Sequence, residues 1–246
     1  MQDKIRKKLL KSHEKKAISE RLKDHHGFSF IGDAVLGGID GCVTTFAVAA
    51  GAAGAGLSGH IVLIMGFANL VADGFSMAAS NYMRAKSDRD KVDQTRQMEE
   101  THVRIIPEGE REEVRQIFKE KGFNGETLEK IVATITSDKK LWINTMMKEE
   151  YDLPTVGPVP AKEASITFFS FIVIGFIPLF PFLFGDLPLS LRFKISIMVT
   201  SLTFFTIGLI RGYVLQYKVL ESGMLTLLTG GGAASLAFFI GHLIGK

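Results

Sequence analysis

Apolar runs long enough to cross a bilayer alternate with charged stretches along this chain. Phe30–Leu57, and the two dozen residues from His60, are each long enough to span at about 1.5 Å per residue. Only Gly54–Gly59, short and uncharged, separates them, so they are expected to pack as antiparallel neighbours. Three more apolar runs follow at Ala164–Gly185, Leu191–Gln216 and Met224–Ile244. Pro178 and Pro181 predict a kink or a loosened end in the third span. Small residues in the first span, and Gly230-Gly231-Gly232-Ala233-Ala234 in the fifth, favour close helix contact.

Between the second and third spans the texture changes. The second span runs into charge at Arg84 with no helix breaker, which predicts one long helix to about Arg104, ending before Pro107. Further helices are predicted at Glu108–Lys121 with Gly122 as a C-cap, and at Gly125–Thr136. Ser137 or Asp138 can cap a last helix carrying LWINTMMKEE. Pro154, Gly157, Pro158 and Pro160 then form a linker back to the membrane. Residues 1–26 read as a basic helix with a thin apolar stripe of Ile5, Leu9, Ile18 and Leu22, suited to an anionic membrane surface. The fold class is therefore all-α: a polytopic membrane protein with five transmembrane helices and an inserted cytoplasmic helical domain. Its segments are the basic helix 1–28, spans one and two in 29–86, the helical domain 87–160, and spans three to five in 161–246.

Charge orients these segments. Lys and Arg are abundant before the first span and after the second, and absent between them, so the N-terminus and the acidic middle are both expected in the cytoplasm. Arg211 and Lys218, read as lying in the turn between spans four and five, fit this topology, and Arg192 goes against it. Cys42 is the only cysteine, which excludes an intrachain disulfide and a thiolate cluster, and it reads as a packed small hydrophobe. The start is too polar for a signal peptide. The basic helix adjoins a span and lacks interleaved aromatics, so no nucleic-acid partner is expected.

Candidate chemistry lies in two places. In the first span Asp33, Gly37, Asp40 and Thr44 share a helical face, with Asp33 near the cytoplasmic end as an interfacial cap or a functional acid. Asp40 lies deeper between glycines, and an acid at lipid depth normally faces a bundle interior or a wet pathway. In the second span Asn69, Asp73 and Met77 stack at i, i+4 and i+8. A thioether over a carboxylate suits a transition metal. In the acidic middle, Glu99 with His102, Glu110 with Glu113, and Met146 with Glu150 each share a face. Such donors suit Fe2+ or Mn2+, with Zn2+ or Co2+ possible. The same spacings also occur on solvated helix faces, and Met146 and Met147 could fill a core. His13, His25 and His26 read as solvated side chains or as ligands.

GGIDGCVTTFAVAAGAAGAGLS, ANLVADGFSMAASNYMRAKSDRD, DKKLWINTMMKEEYDL and the Phe/Pro-rich third span, in this order, resemble the vacuolar iron transporter family, and a bacterial-type member of it. The resemblance runs from about Gly32 to the C-terminus. It implies a homodimer, a cytoplasmic metal-binding domain inserted between spans two and three, and export of Fe2+, often also Mn2+, from the cytosol in exchange for protons. By position it implies a membrane metal site at Asp40 and Met77, and soluble ligands at Glu99, Glu110, Glu113, Met146 and Glu150, with Met147 beside them. The chain departs from it at Asn69, where some members have Glu and where Asp73 could supply the carboxylate, and at His102, where some have Glu. The function expected is transport rather than catalysis. The alternatives are a ferroxidase built on Glu99-x-x-His102, which is half of a di-iron motif, or a metal sensor. The chain's compactness favours a bacterial plasma membrane over a vacuolar one.

Overall fold

The computed structural model describes residues 6, 10, 12–23, 29–215 and 218–245. Among the described residues the fold is all-helical: α1 (Lys15–Lys23), α2 (Ser29–Gly54), α3 (Gly59–Ile105), α4 (Pro107–Glu120), α5 (Gly125–Thr136), α6 (Lys139–Glu149), α7 (Pro160–Gly175), a 3-10 helix (Ile177–Leu183), α8 (Leu189–Val214) and α9 (Val219–Ile244). Four helices (α2, α3, α8 and α9) are long and apolar enough to cross a membrane, and the bent pair α7 plus the 3-10 helix makes a fifth. With this many apolar helices the chain is an integral membrane protein. It divides into two compact units, one of Met1–Ala79 with Ala164–Lys246, the other Ser80–Glu163. Ile5, Leu9, His25 and His26 lie outside the described residues.

In the first unit, small residues bring helix backbones together. A Cβ on Gly41 of α2 would sit 2.5 Å from the Phe171 carbonyl oxygen of α7, a contact that only glycine permits. Phe193 of α8 stacks between Phe46 of α2 and Phe238 of α9, with ring centroids 6.4 and 5.9 Å away. The break expected at Pro178 and Pro181 is present: α7 and the 3-10 helix meet at 41°. A carbonyl left without a helical donor is costly in lipid. Ser196 of α8 meets this need by donating its hydroxyl to Pro178 O at 2.7 Å. Arg192, which sits awkwardly with the charge rule, donates Nε to Leu187 O at 2.6 Å and Nη2 to Gly185 O. Arg211 lies in the last turn of α8 rather than in the turn that follows, because that helix continues to Val214.

The second unit is a small bundle. Val114, Leu128, Val132, Ile135, Trp142 and Met146 form its main cluster, and Val92, Ile143 and Met147 a smaller one, with Val103 packed against both. The sequence signals for its helix ends hold. Pro107 opens α4, where its missing N–H costs nothing. Asp138 caps α6 by accepting from Leu141 N at 2.8 Å. After α4, Gly122 takes φ +95, Gly122 N bonds Lys119 O and Phe123 N bonds Phe118 O, while the Phe118 and Phe123 rings pack at 6.2 Å. Arg84 Nη2 donates to the buried Glu163 at the start of α7 at 2.9 Å, and Arg96 to Asn144 of α6 and to the Thr155 carbonyl of the linker.

Gly122→Ala is expected to destabilise this unit by about 1–2 kcal/mol, because a side chain at positive φ meets the neighbouring carbonyl. Trp142 is the only tryptophan and lies in the core, so a lower urea midpoint of its emission in the full chain checks this.

Candidate metal centre

The helical unit brings Glu99, His102 and Glu110 together, with one ligand atom from each inside a 4.8 Å span. The local sequence explains how. Glu99 and His102 are one turn apart in the last turns of α3, and Pro107 forces α4 to start almost at once. Glu110, in the first turn of α4, is thereby returned to them. His102 Nδ1 stands 3.2 Å from Glu110 Oε1 and 3.7 Å from Glu99 Oε1. Glu99 is 0 % and Glu110 1 % exposed. Glu99 Oε2 and both Glu110 oxygens are buried and find no hydrogen-bond donor among the described residues. Carboxylates out of water need a compensating charge, and a divalent cation supplies it.

The electrostatics record that need. Burial, then the like charges of Glu99, Glu113 and Glu150, push the Glu110 carboxyl up to about 8. Desolvation also raises Glu150, the C-cap of α6, against the opposing hydrogen bond from Tyr151. Glu113 and Glu150 lie at the exposed edge of the cluster and act on it through their charge. Met146 and Met147, whose spacing fits a ligand or a core residue, are both fully buried in the apolar clusters. Tyr151 is the residue that sequence reasoning missed. Its hydroxyl donates to Glu99 Oε1 at 3.0 Å, and burial, then its bonds to Glu150 and Glu99, raise its own pKa. The next residue, Asp152, takes φ +52, a conformation that Asp tolerates better than most residues, and Leu153 N then bonds Met147 O at 2.9 Å. The one hint in the sequence was a phenol directly after a candidate ligand. Oxygen and nitrogen donors of this kind fit a first-row divalent ion.

In the membrane unit, Asp40, Thr44, Asn69, Asp73 and Met77 are all half-buried. Asp40 on α2 feels the like charge of Asp73 on α3, as expected if the short turn makes the two helices face one another. Thr44 Oγ1, one turn beyond Asp40, and Asn69 Nδ2, one turn from Asp73, are buried with no partner among the described residues. Asp40 also lines a groove of about 490 Å³ with Val35, Ile39 and Arg211. Asp33 is buried, and Cys42 is fully buried, consistent with a packing role. His13 is exposed.

Comparison with known proteins gives a consistent picture. The profile of the VIT family matches residues 31–242. A vacuolar iron transporter of Toxoplasma gondii is 33% identical over 225 residues, covering 87% of this chain and 74% of the relative. A vacuolar iron transporter of Centaurea cyanus is 31% identical over 227 residues, covering 91% and 92%. Vacuolar iron transporter 1 of Arabidopsis thaliana is 28% identical over 233 residues, covering 92% of each.

The raised Glu110 makes the metal-free unit pH-sensitive. The folded state holds a proton between the ordinary 4.5 and about 8 that the unfolded state releases. This contribution to stability is therefore full below 4.5 and lost as pH rises towards 8. Melting of the full chain in chelator, followed by Trp142 emission, is expected to show this fall, with a flatter profile for Glu110→Gln. Added Mn2+ is expected to raise the melting temperature most at the upper end of that window, where the ligands are ionised.

Proposed function

The chain belongs to the VIT family, whose named relatives are vacuolar iron transporters, and on that footing we propose that it carries Fe2+, and also Mn2+, out of the cytosol in exchange for protons. The observation that carries this reading is the cluster of Glu99, His102 and Glu110, whose buried carboxylate oxygens Glu99 Oε2 and Glu110 Oε1 and Oε2 find no donor among the described residues. The helical unit, by this proposal, captures metal on Glu99, His102 and Glu110, with Glu113 and Glu150 raising the local cation concentration through their charge. The membrane pathway runs past Met77, Asp40 and Asp73 to Thr44 and Asn69.

Chemistry at the membrane acids gives the exchange its direction. Asp40 and Asp73 can hold either a divalent cation or protons, and protonation releases the ion by removing its counter-charge. A more acidic compartment across the membrane therefore favours release there. A thioether at Met77 adds a soft donor, which favours transition metals over Ca2+ and Mg2+. We propose a homodimer, as the resemblance implies, with the N-terminus and the helical unit in the cytoplasm. The bacterial plasma membrane expected from the sequence draws no support from relatives whose names are vacuolar. A ferroxidase of the di-iron type needs two Glu-x-x-His motifs, of which each subunit supplies one and a dimer could supply the second; the names of the relatives favour transport, and that is the reading we adopt.

Proteoliposomes with an imposed proton gradient test the proposal. Asp40→Ala and Met77→Ala are each expected to abolish Fe2+ and Mn2+ flux while the protein still purifies as a folded dimer. Undiminished flux in either variant would overturn the pathway. Glu110→Gln is expected to lower apparent affinity about tenfold, the scale on which single side chains tune metal sites, and to leave residual flux.

A further inference from the structure

His102 is the only nitrogen donor in a cluster whose other candidate ligands are carboxylate oxygens, and its placement has the dimensions of a coordination sphere. Metal–ligand bonds of about 2.1 Å put neighbouring donor atoms about 3.0 Å apart in an octahedron and about 3.4 Å apart in a tetrahedron. The spacings of 3.2 and 3.7 Å from His102 Nδ1 to the two glutamates bracket the tetrahedral value, so a first-row ion can seat with small adjustments. Ca2+, with bonds of 2.3–2.6 Å and six to eight oxygen ligands, needs a wider and more oxygen-rich nest. The ring is 40% exposed, which lets Nε2–H donate a hydrogen bond to water while Nδ1 offers its lone pair to the cluster. Beside it, the donor-less oxygens of Glu99 and Glu110 are buried.

We propose that His102 is the specificity-determining ligand of the helical unit, biasing capture towards Fe2+, Co2+ and Zn2+ over Mn2+. Affinity rises along the first-row series, and imidazole is a ligand suited to iron, zinc, copper and nickel, whereas carboxylate suits manganese, magnesium and calcium. An all-oxygen version of the same cluster would hold Mn2+ on more nearly equal terms. This inference rests on the transport reading only for the identity of the cargo; the selectivity it assigns is an equilibrium property of the site.

The test uses full-length protein in detergent, freed of metal. Co2+ stands in for Fe2+, and its quenching of Trp142, whose core lies in the same unit as the cluster, reads binding there rather than in the membrane unit. Competition with Mn2+ gives the Co2+/Mn2+ affinity ratio. Wild type is expected to favour Co2+, and His102→Glu and His102→Gln each to reduce the ratio by about tenfold or more. The Co2+-loaded wild type is also expected to show a hyperfine-shifted, exchangeable imidazole N–H resonance that both variants lack. A ratio unchanged in a folded variant overturns the proposal. If neither variant folds, the wild-type resonance decides, its presence supporting ligation and its absence overturning it. Absent flux in vesicles with this preference intact would overturn the transport reading alone.

Discussion

Glu99 and Glu110 cannot both be anions in comfort, and the helical unit is arranged around that conflict. Both are buried, both leave oxygens without a donor among the described residues, and the Glu99 charge raises the cost of ionising Glu110. Such a pair persists only where the surrounding fold holds it in place. The apolar clusters around Trp142 and Met147 do so, gripping α3, α4 and α6, with Val114 one turn beyond Glu110 on the buried face of α4. The Tyr151 hydroxyl then donates to one Glu99 oxygen, which does not neutralise the pair. The remaining deficit is what a cation can fill.

The membrane unit is governed by a different shortage, that of hydrogen-bond partners in hydrocarbon. Its helices satisfy their own backbone, and where prolines break the third span a serine from α8 takes up a freed carbonyl. Close packing at Gly41 and the stack of Phe46, Phe193 and Phe238 hold the bundle together without help from water. Against this economy, Asp40, Asp73, Thr44 and Asn69 stand out as polar groups that packing alone does not explain.

Much of this was legible in the residues because the signals are local. Pro107, Gly122 and Asp138 mark helix ends through φ preferences and capping bonds that need no tertiary context, and the helices end within a residue or two of where those letters stand. Pro178 and Pro181 foretold the break for the same reason. That the charge of Asp73 reaches Asp40 could be inferred from the brevity of Gly54–Gly59. What escaped was long-range or degenerate. Tyr151 meets Glu99 across 52 positions, and no spacing rule reaches that far. Met146 and Met147 satisfy a ligand pattern and a core pattern equally, since both demand a buried helical face, and their burial in the apolar clusters is compatible with either. Arg192 defied the charge rule because backbone carbonyls of its own loop occupy its donors. Arg211 was misplaced because α8 runs further than its apolar run indicates.

The left-handed turn at Asp152 sets a boundary on what an engineer could do with this centre. Ligands on α3 and α4 can be exchanged one at a time, since each projects from a regular helix that tolerates most side chains. The residue after the phenol holds instead a single backbone geometry that Gly or Asn would keep and that valine or isoleucine would spoil. A redesign for another ion is therefore free in its donors and tethered in its hinge.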